Sequence, residues 1–156
     1  MIRTRNAALD AELLGLFDDV PADRIHEFFG DEWTLADNLA HIAEFPAYFA
    51  AQLEEWLAGD RVVIGRVAEH DADRNDALAR APKMELEQLR RAAEESFAAL
   101  AAVLEHLQDA HLDATTQNVK YGEEPLTSYL DRYVVGHKAA HVTQLREAID
   151  LLRSGQ

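Results

Sequence analysis

Cysteine is absent from the 156 residues, which removes disulfides, thiolate-based zinc sites and thiol nucleophiles together. Glycine and proline are scarce, at seven and four, so turn-rich or low-complexity tracts are excluded and helices have few places to break. β-Branched residues number only twenty, against twenty-seven alanines and twenty leucines. That bias toward straight-chain helix formers predicts an all-α fold and argues against a sheet-based one. No apolar run reaches the roughly eighteen residues of a membrane-spanning helix. The opening Met-Ile-Arg-Thr-Arg-Asn is followed by no stretch resembling a signal peptide, so a soluble, cytoplasmic protein without a membrane partner is expected. Basic residues are in deficit too: 15 Lys and Arg stand against 29 Asp and Glu, a net charge of −14. Such a surface repels phosphate backbones and makes nucleic acid an unsuitable partner. What is abundant is apolar side chain, 48% of the sequence, enough at this length for one domain over residues 1–156 with its own core.

The apolar residues recur at helical spacing in four long stretches. Ala8, Leu9, Leu13, Leu16 and Phe17 define the first, from Thr4 to Asp19, ending at Val20-Pro21; a short piece, Ala22 to Phe29, leads through Gly30. Thr34 is a suitable N-cap for the second, with Asp37 in the capping-box position. Its stripe of Leu35, Leu39, Ile42, Phe49, Leu53 and Leu57 runs to Gly59, and Pro46 inside it predicts a kink. Residues 60–83 read as a crossover with one short helix. Met84 to Leu107 carries the regular stripe Leu86, Leu89, Ala93, Phe97, Leu100, Leu104 and Leu107. A polar connection over residues 108–126 precedes a last helix, capped by Thr127 and reaching Arg153. Uneven connections predict a four-helix bundle with long crossovers.

Of the seven histidines, His26, His70, His106 and His111 lie in charged or loop-like surroundings and read as surface. His137 and His141 are four apart and so share one helix face. They fall within the stripe Leu130, Val134, His137, His141, Leu145, Ala148 and Leu152, which should be core. Burying two imidazoles costs on the order of 1–3 kcal/mol each unless they find partners, so they require either hydrogen bonds or a metal. His41 flanks the second helix's stripe beside Phe45 and Tyr48. One histidine from one helix and an i,i+4 pair from another is a workable three-nitrogen site for Zn²⁺ or Ni²⁺ in a bundle core, with one coordination position left open.

The segment from Trp33 to Ile42, with Thr34, Asp37 and His41, taken together with Gly136-His137-Lys138-Ala139-Ala140-His141-Val142-Thr143-Gln144-Leu145, resembles the DinB-like (DinB/YfiT-like) family of metalloenzymes. The resemblance extends over essentially the whole chain, including Gly65-Arg66-Val67 and Arg74-Asn75 of the crossover. It implies a four-helix bundle, frequent homodimers, and a divalent metal, zinc or nickel, with His41, His137 and His141 at the ligand positions. It also implies a low-molecular-weight thiol cosubstrate such as mycothiol or bacillithiol in transferase or isomerase members, and hydrolysis in others.

Two functions are compatible with these residues. In one, the metal activates water or a thiol toward a small electrophilic substrate. Tyr48 and Gln144 are then placed by helix face to line the pocket, and Arg74 and Asn75 to bind a substrate carboxylate if the crossover folds over the site. Asp37, one turn before His41, either orients that ring or simply caps the helix. In the other, the metal stabilises a non-catalytic ligand-binding or stress-response bundle.

Overall fold

In the computed structural model, which describes residues 1–28 and 32–155, the apolar stripes become the helices α1 (Ile2–Phe17) and α2 (Leu35–Ala58). A crossover follows, containing β1 (Val63–Ile64) and α3 (Ala72–Arg80), and then α4 (Leu86–Glu105). The second connection holds the single turn α5 (Asp109–Leu112) and the strands β2 (Thr115–Asn118) and β3 (Gly122–Pro125). The fourth long segment is composite: α6 (Leu126–Tyr129), a π-helical stretch over Leu130–Gly136, and α7 (His137–Arg153). α2 lies along α4, and α1 packs on α7 and α4, completing a four-helix bundle. No helix among the described residues is long and apolar enough to cross a membrane.

The ends of α2 follow the local chemistry. Thr34 Oγ1 accepts the Asp37 N–H at 3.1 Å, and Asp37 Oδ2 accepts the Thr34 N–H at 2.8 Å, a complete capping box. At the other end Gly59 takes the left-handed conformation, φ 81°. The helix runs on through Pro46, and the neighbouring Ala47 N–H is donated to Ser96 Oγ of α4 at 2.9 Å. Residues Ala22–Arg24 form one 3-10 turn; Phe29 and Gly30 lie outside the described residues.

Three features depart from the helical expectation. The connections contribute a three-stranded sheet, with β1 parallel to β2 (Ile64 opposite Asn118) and β2 antiparallel to β3 (Thr116 opposite Glu124). Its strands total ten residues, and the polar runs Thr-Thr-Gln-Asn and Gly-Glu-Glu-Pro carry no apolar alternation to signal them. The last helix starts at Leu126 behind Pro125, and Thr127 falls inside its first turn with no capping bond. Finally, α1 buries Asn6 and half-buries Asp10 while Ala8 is exposed. The reason is Lys138 on α7, wholly buried: its ammonium donates to Asn6 Oδ1 at 2.5 Å and to Asp10, and lies over the Phe97 ring. Burial pushes Asp10 up and Lys138 down from their ordinary values, opposing their mutual attraction.

Candidate metal centre

α2 presents His41 toward the start of α7, where His137 is the first residue and His141 lies one turn on. One potential ligand atom from each of the three rings falls within 4.8 Å of the others. Ring centres are 5.3 Å apart for His41 and His137, 5.0 Å for His41 and His141, and 4.7 Å for His137 and His141. Phe45 is stacked against His137 at 4.1 Å and against His141 at 5.4 Å, and Trp33 meets His41 edge-on at 5.7 Å. The rings are thus oriented by aromatic packing from both sides.

Burial, reinforced by the neighbouring imidazoles and Arg66, depresses His137 to about 3. Burial and His41 depress His141 to about 4, with Gln144 acting in the opposite direction. Both are neutral at physiological pH, which is the state that ligates a cation. His41 Nδ1 and His141 Nδ1 are both buried without a hydrogen-bond partner. Buried, unpartnered ring nitrogens within a cluster of three imidazoles suit a nitrogen-ligated divalent cation.

Behind His41 stands a residue that the sequence analysis did not single out. Glu44, three positions on and on the same face, brings Oε2 to 3.3 Å from His41 Nδ1 and Oε1 to 2.7 Å from Arg66. Burial raises its pKa, but the contacts of His41 and Arg66 together outweigh this and hold it below the ordinary value. Arg66 is also 3.3 Å from Asp71, which pairs with Arg74 at 2.8 Å. Asp37 is committed to the capping box. An acidic residue at i+3 from His41 was the available signal.

The crossover reaches this point because Gln52 clamps it. Its carboxamide accepts the Gly65 N–H at 2.8 Å and donates to the Gly65 carbonyl at 3.0 Å. Gly65 has φ 107°, and a Cβ there would meet the Asn118 side chain at 2.9 Å, so glycine is needed where the hairpin abuts the crossover. Asn118 Oδ1 in turn accepts the N–H groups of Lys120 and Tyr121 at the tip of the β2–β3 hairpin.

The result is a cavity of about 600 Å³ bounded by His41, His137, crossover residues and the hairpin tip. Four cations line it, Arg66, Arg74, Lys120 and Arg132, against the single carboxylate of Asp71. Arg132 pairs with Glu124 at 2.8 Å; Lys120 has no ion pair among the described residues. Arg66, Arg74 and Arg132 are each paired with a carboxylate, so in this chain of net charge −14 the unpaired positive charge of the cavity wall is that of Lys120.

Of the other residues expected near the site, Arg74 lines this cavity. Gln144 is exposed beside His141, and Asn75 is exposed on α3 away from the lining. Tyr48 lies under the Arg66 guanidinium, 4.1 Å from ring centre, and borders a separate cavity between α2, α3 and α4. His26, His70 and His106 are exposed, whereas His111 is half-buried and accepts the Gln108 N–H at 2.9 Å.

Residues 7–145 match the family model described as the DinB superfamily. No curated protein sequence matches the chain. Among solved structures it is similar to a mycothiol-dependent maleylpyruvate isomerase, with TM-score 0.72 and 16% identity over 96% of this chain and 59% of that one. It thus spans under two thirds of that protein's length. An uncharacterised protein from Clostridium difficile 630 aligns with TM-score 0.72 and 13% identity over 94% and 92% of the two chains. A sibling lethal factor precursor, DfsB, aligns with TM-score 0.71 and 13% identity over 94% and 91%. At these identities the likeness is one of fold.

Proposed function

The chain belongs to the DinB superfamily, and from that premise we propose that His41, His137 and His141 hold one divalent cation, zinc or nickel, at the centre of an enzyme site. The reaction would join a low-molecular-weight thiol, or water, to a small anionic electrophile. The observation carrying this reading is the convergence of three imidazoles from two helices on the edge of a cavity lined by four cations. A bound cation would supply Lewis acidity, making a thiol or water nucleophilic near neutral pH.

The chain's own residues account for the rest. Lys120 provides charge for a substrate carboxylate, and Arg74, paired with Asp71 through one terminal nitrogen, offers its unpartnered Nε. Arg66 and Arg132 are already engaged by Glu44, Asp71 and Glu124 and hold the walls. Phe45 excludes water from one side of the imidazoles. The similarity to a mycothiol-dependent isomerase favours a thiol cosubstrate and a carboxylate-bearing substrate. A cytoplasmic homodimer belongs to the same reading.

The experiment is a turnover screen of zinc- and nickel-loaded protein with thiols paired with unsaturated carboxylates, and with esters. Activity lost on chelation and restored by metal supports the enzyme. Metal-loaded protein inert across the panel, but melting higher than the chelated form, would favour the non-catalytic, metal-stabilised bundle instead.

A further inference from the structure

Glu44 is one side chain at this site with no part in holding the cation or lining the cationic cavity, yet it is the buried carboxylate nearest to the ligands. Its oxygens contact a ring nitrogen of His41 and the Arg66 guanidinium, and side-chain exposures of 8% for Glu44, 10% for His41 and 9% for Arg66 place the trio out of water. A neutral imidazole has one N–H and one lone pair. An ionised carboxylate only accepts, so Glu44 beside Nδ1 favours the proton there and leaves Nε2 as the donor atom. Arg66 makes this possible, because a lone buried carboxylate would take up a proton and lose its preference for accepting. The arginine is fixed by Asp71 and by the Gln52 clamp on the preceding Gly65.

Resting on the three-histidine reading above, we propose that Glu44 is a positioning residue that fixes His41 as the Nδ1–H tautomer and so presents Nε2 to the cation. Neither His41 Nδ1 nor His141 Nδ1 makes a hydrogen bond of full geometry, but only His41 has a carboxylate beside it, Glu44 at 3.3 Å. The inference therefore assigns unequal roles to the three histidines: His41 is pre-oriented by charge, and His137 and His141 by stacking on Phe45. It also links the metal centre to the crossover, since the chain of contacts from His41 through Glu44, Arg66 and Asp71 ends on Arg74 at the cavity wall.

The test compares metal-free wild type, Glu44→Leu, Glu44→Gln, His41→Ala and the double variant His41→Ala with Glu44→Leu, all shown to be helical by circular dichroism. Zn²⁺ affinity is read by competition with a chromophoric chelator. Glu44→Leu is expected to weaken binding by about 10- to 100-fold, and Glu44→Gln by much less, because its carboxamide oxygen still accepts the Nδ1 proton. In the His41→Ala background, adding Glu44→Leu should change affinity less than about threefold, since the residue acts through His41. A second readout needs no metal. Long-range ¹H–¹⁵N spectra at pH 8 should show His41 protonated at Nδ1 in wild type and Glu44→Gln, and shifted toward Nε2–H in Glu44→Leu. An unchanged tautomer, or equal affinity losses in both backgrounds, overturns the proposal while leaving the three-histidine site standing. Wild-type protein that binds no Zn²⁺ overturns that site and this proposal with it.

Discussion

A Cβ on residue 136 would lie 2.5 Å from the carbonyl oxygen of Asp131, closer than real side chains approach. Gly136 ends the π-helical stretch that includes Asp131, and the next residue is His137. A return to ordinary α-helical bonding would shift the following residues by about 100° around the axis for each residue gained. The irregular turn thus sets the direction of His137 and His141.

Gly136→Ala is therefore expected to lower stability by about 1–3 kcal/mol, the usual cost of overpacking, and to weaken Zn²⁺ binding as well. Urea denaturation and chelator competition measure the two. Unchanged values in both would show that the turn has no part in aiming the pair.

Lys138 sits between the two histidines in sequence but faces α1, where it is tied to Asn6 and Asp10. Lys138→Ala should destabilise by about 3–5 kcal/mol, because it strands a buried carboxylate. Lys138→Met combined with Asp10→Leu should recover most of that loss, as apolar replacements of buried ion pairs do. Thermal melts of the two variants decide it.

Acid should destabilise the metal-free protein early. His137 and His141 are depressed to about 3 and about 4 from 6.5, so below pH 6.5 the unfolded chain takes up protons that the folded chain refuses. Stability is fully present above pH 6.5 and falls with pH toward about 4 and about 3, on the order of 2 kcal/mol per histidine by pH 5. His141→Gln should flatten the decline. Denaturation of chelated protein at pH 7.5 and 5 provides the comparison, and parallel slopes for wild type and variant would contradict it.

The helices and the histidines were legible in the sequence because both depend on short-range spacing. Leu39, Ile42, Leu53, Phe97 and Leu145 repeat at helical period and are buried, and the Thr34–Asp37 box needs only residues three apart. What escaped depends on partners distant in the chain. Val63 and Ile64 become a strand only by pairing with Gln117 and Asn118. Lys138 is core only because α1 supplies Asn6 and Asp10. The π-helical stretch rests on a contact between Gly136 and Asp131 that no apolar pattern encodes. Glu44 was visible at i+3 from His41, but among 29 acidic residues only its burial beside Arg66 sets it apart.

Substrate binding tests the cationic cavity. Lys120→Ala and Arg74→Ala should each raise KM for a carboxylate substrate about tenfold or more, with kcat changed much less, since they hold charge away from the reacting atoms. Neutral esters should be indifferent to both changes. Equal effects on charged and neutral substrates would remove the anion-binding role.

The account stands most directly on the metal itself. Elemental analysis of protein purified without chelator should find about one zinc or nickel per chain in wild type, and a near-complete loss when His137→Ala and His141→Ala are combined in a variant that remains helical. A wild type free of divalent metal even after incubation with Zn²⁺ or Ni²⁺, or a double variant that retains its full equivalent, would contradict it.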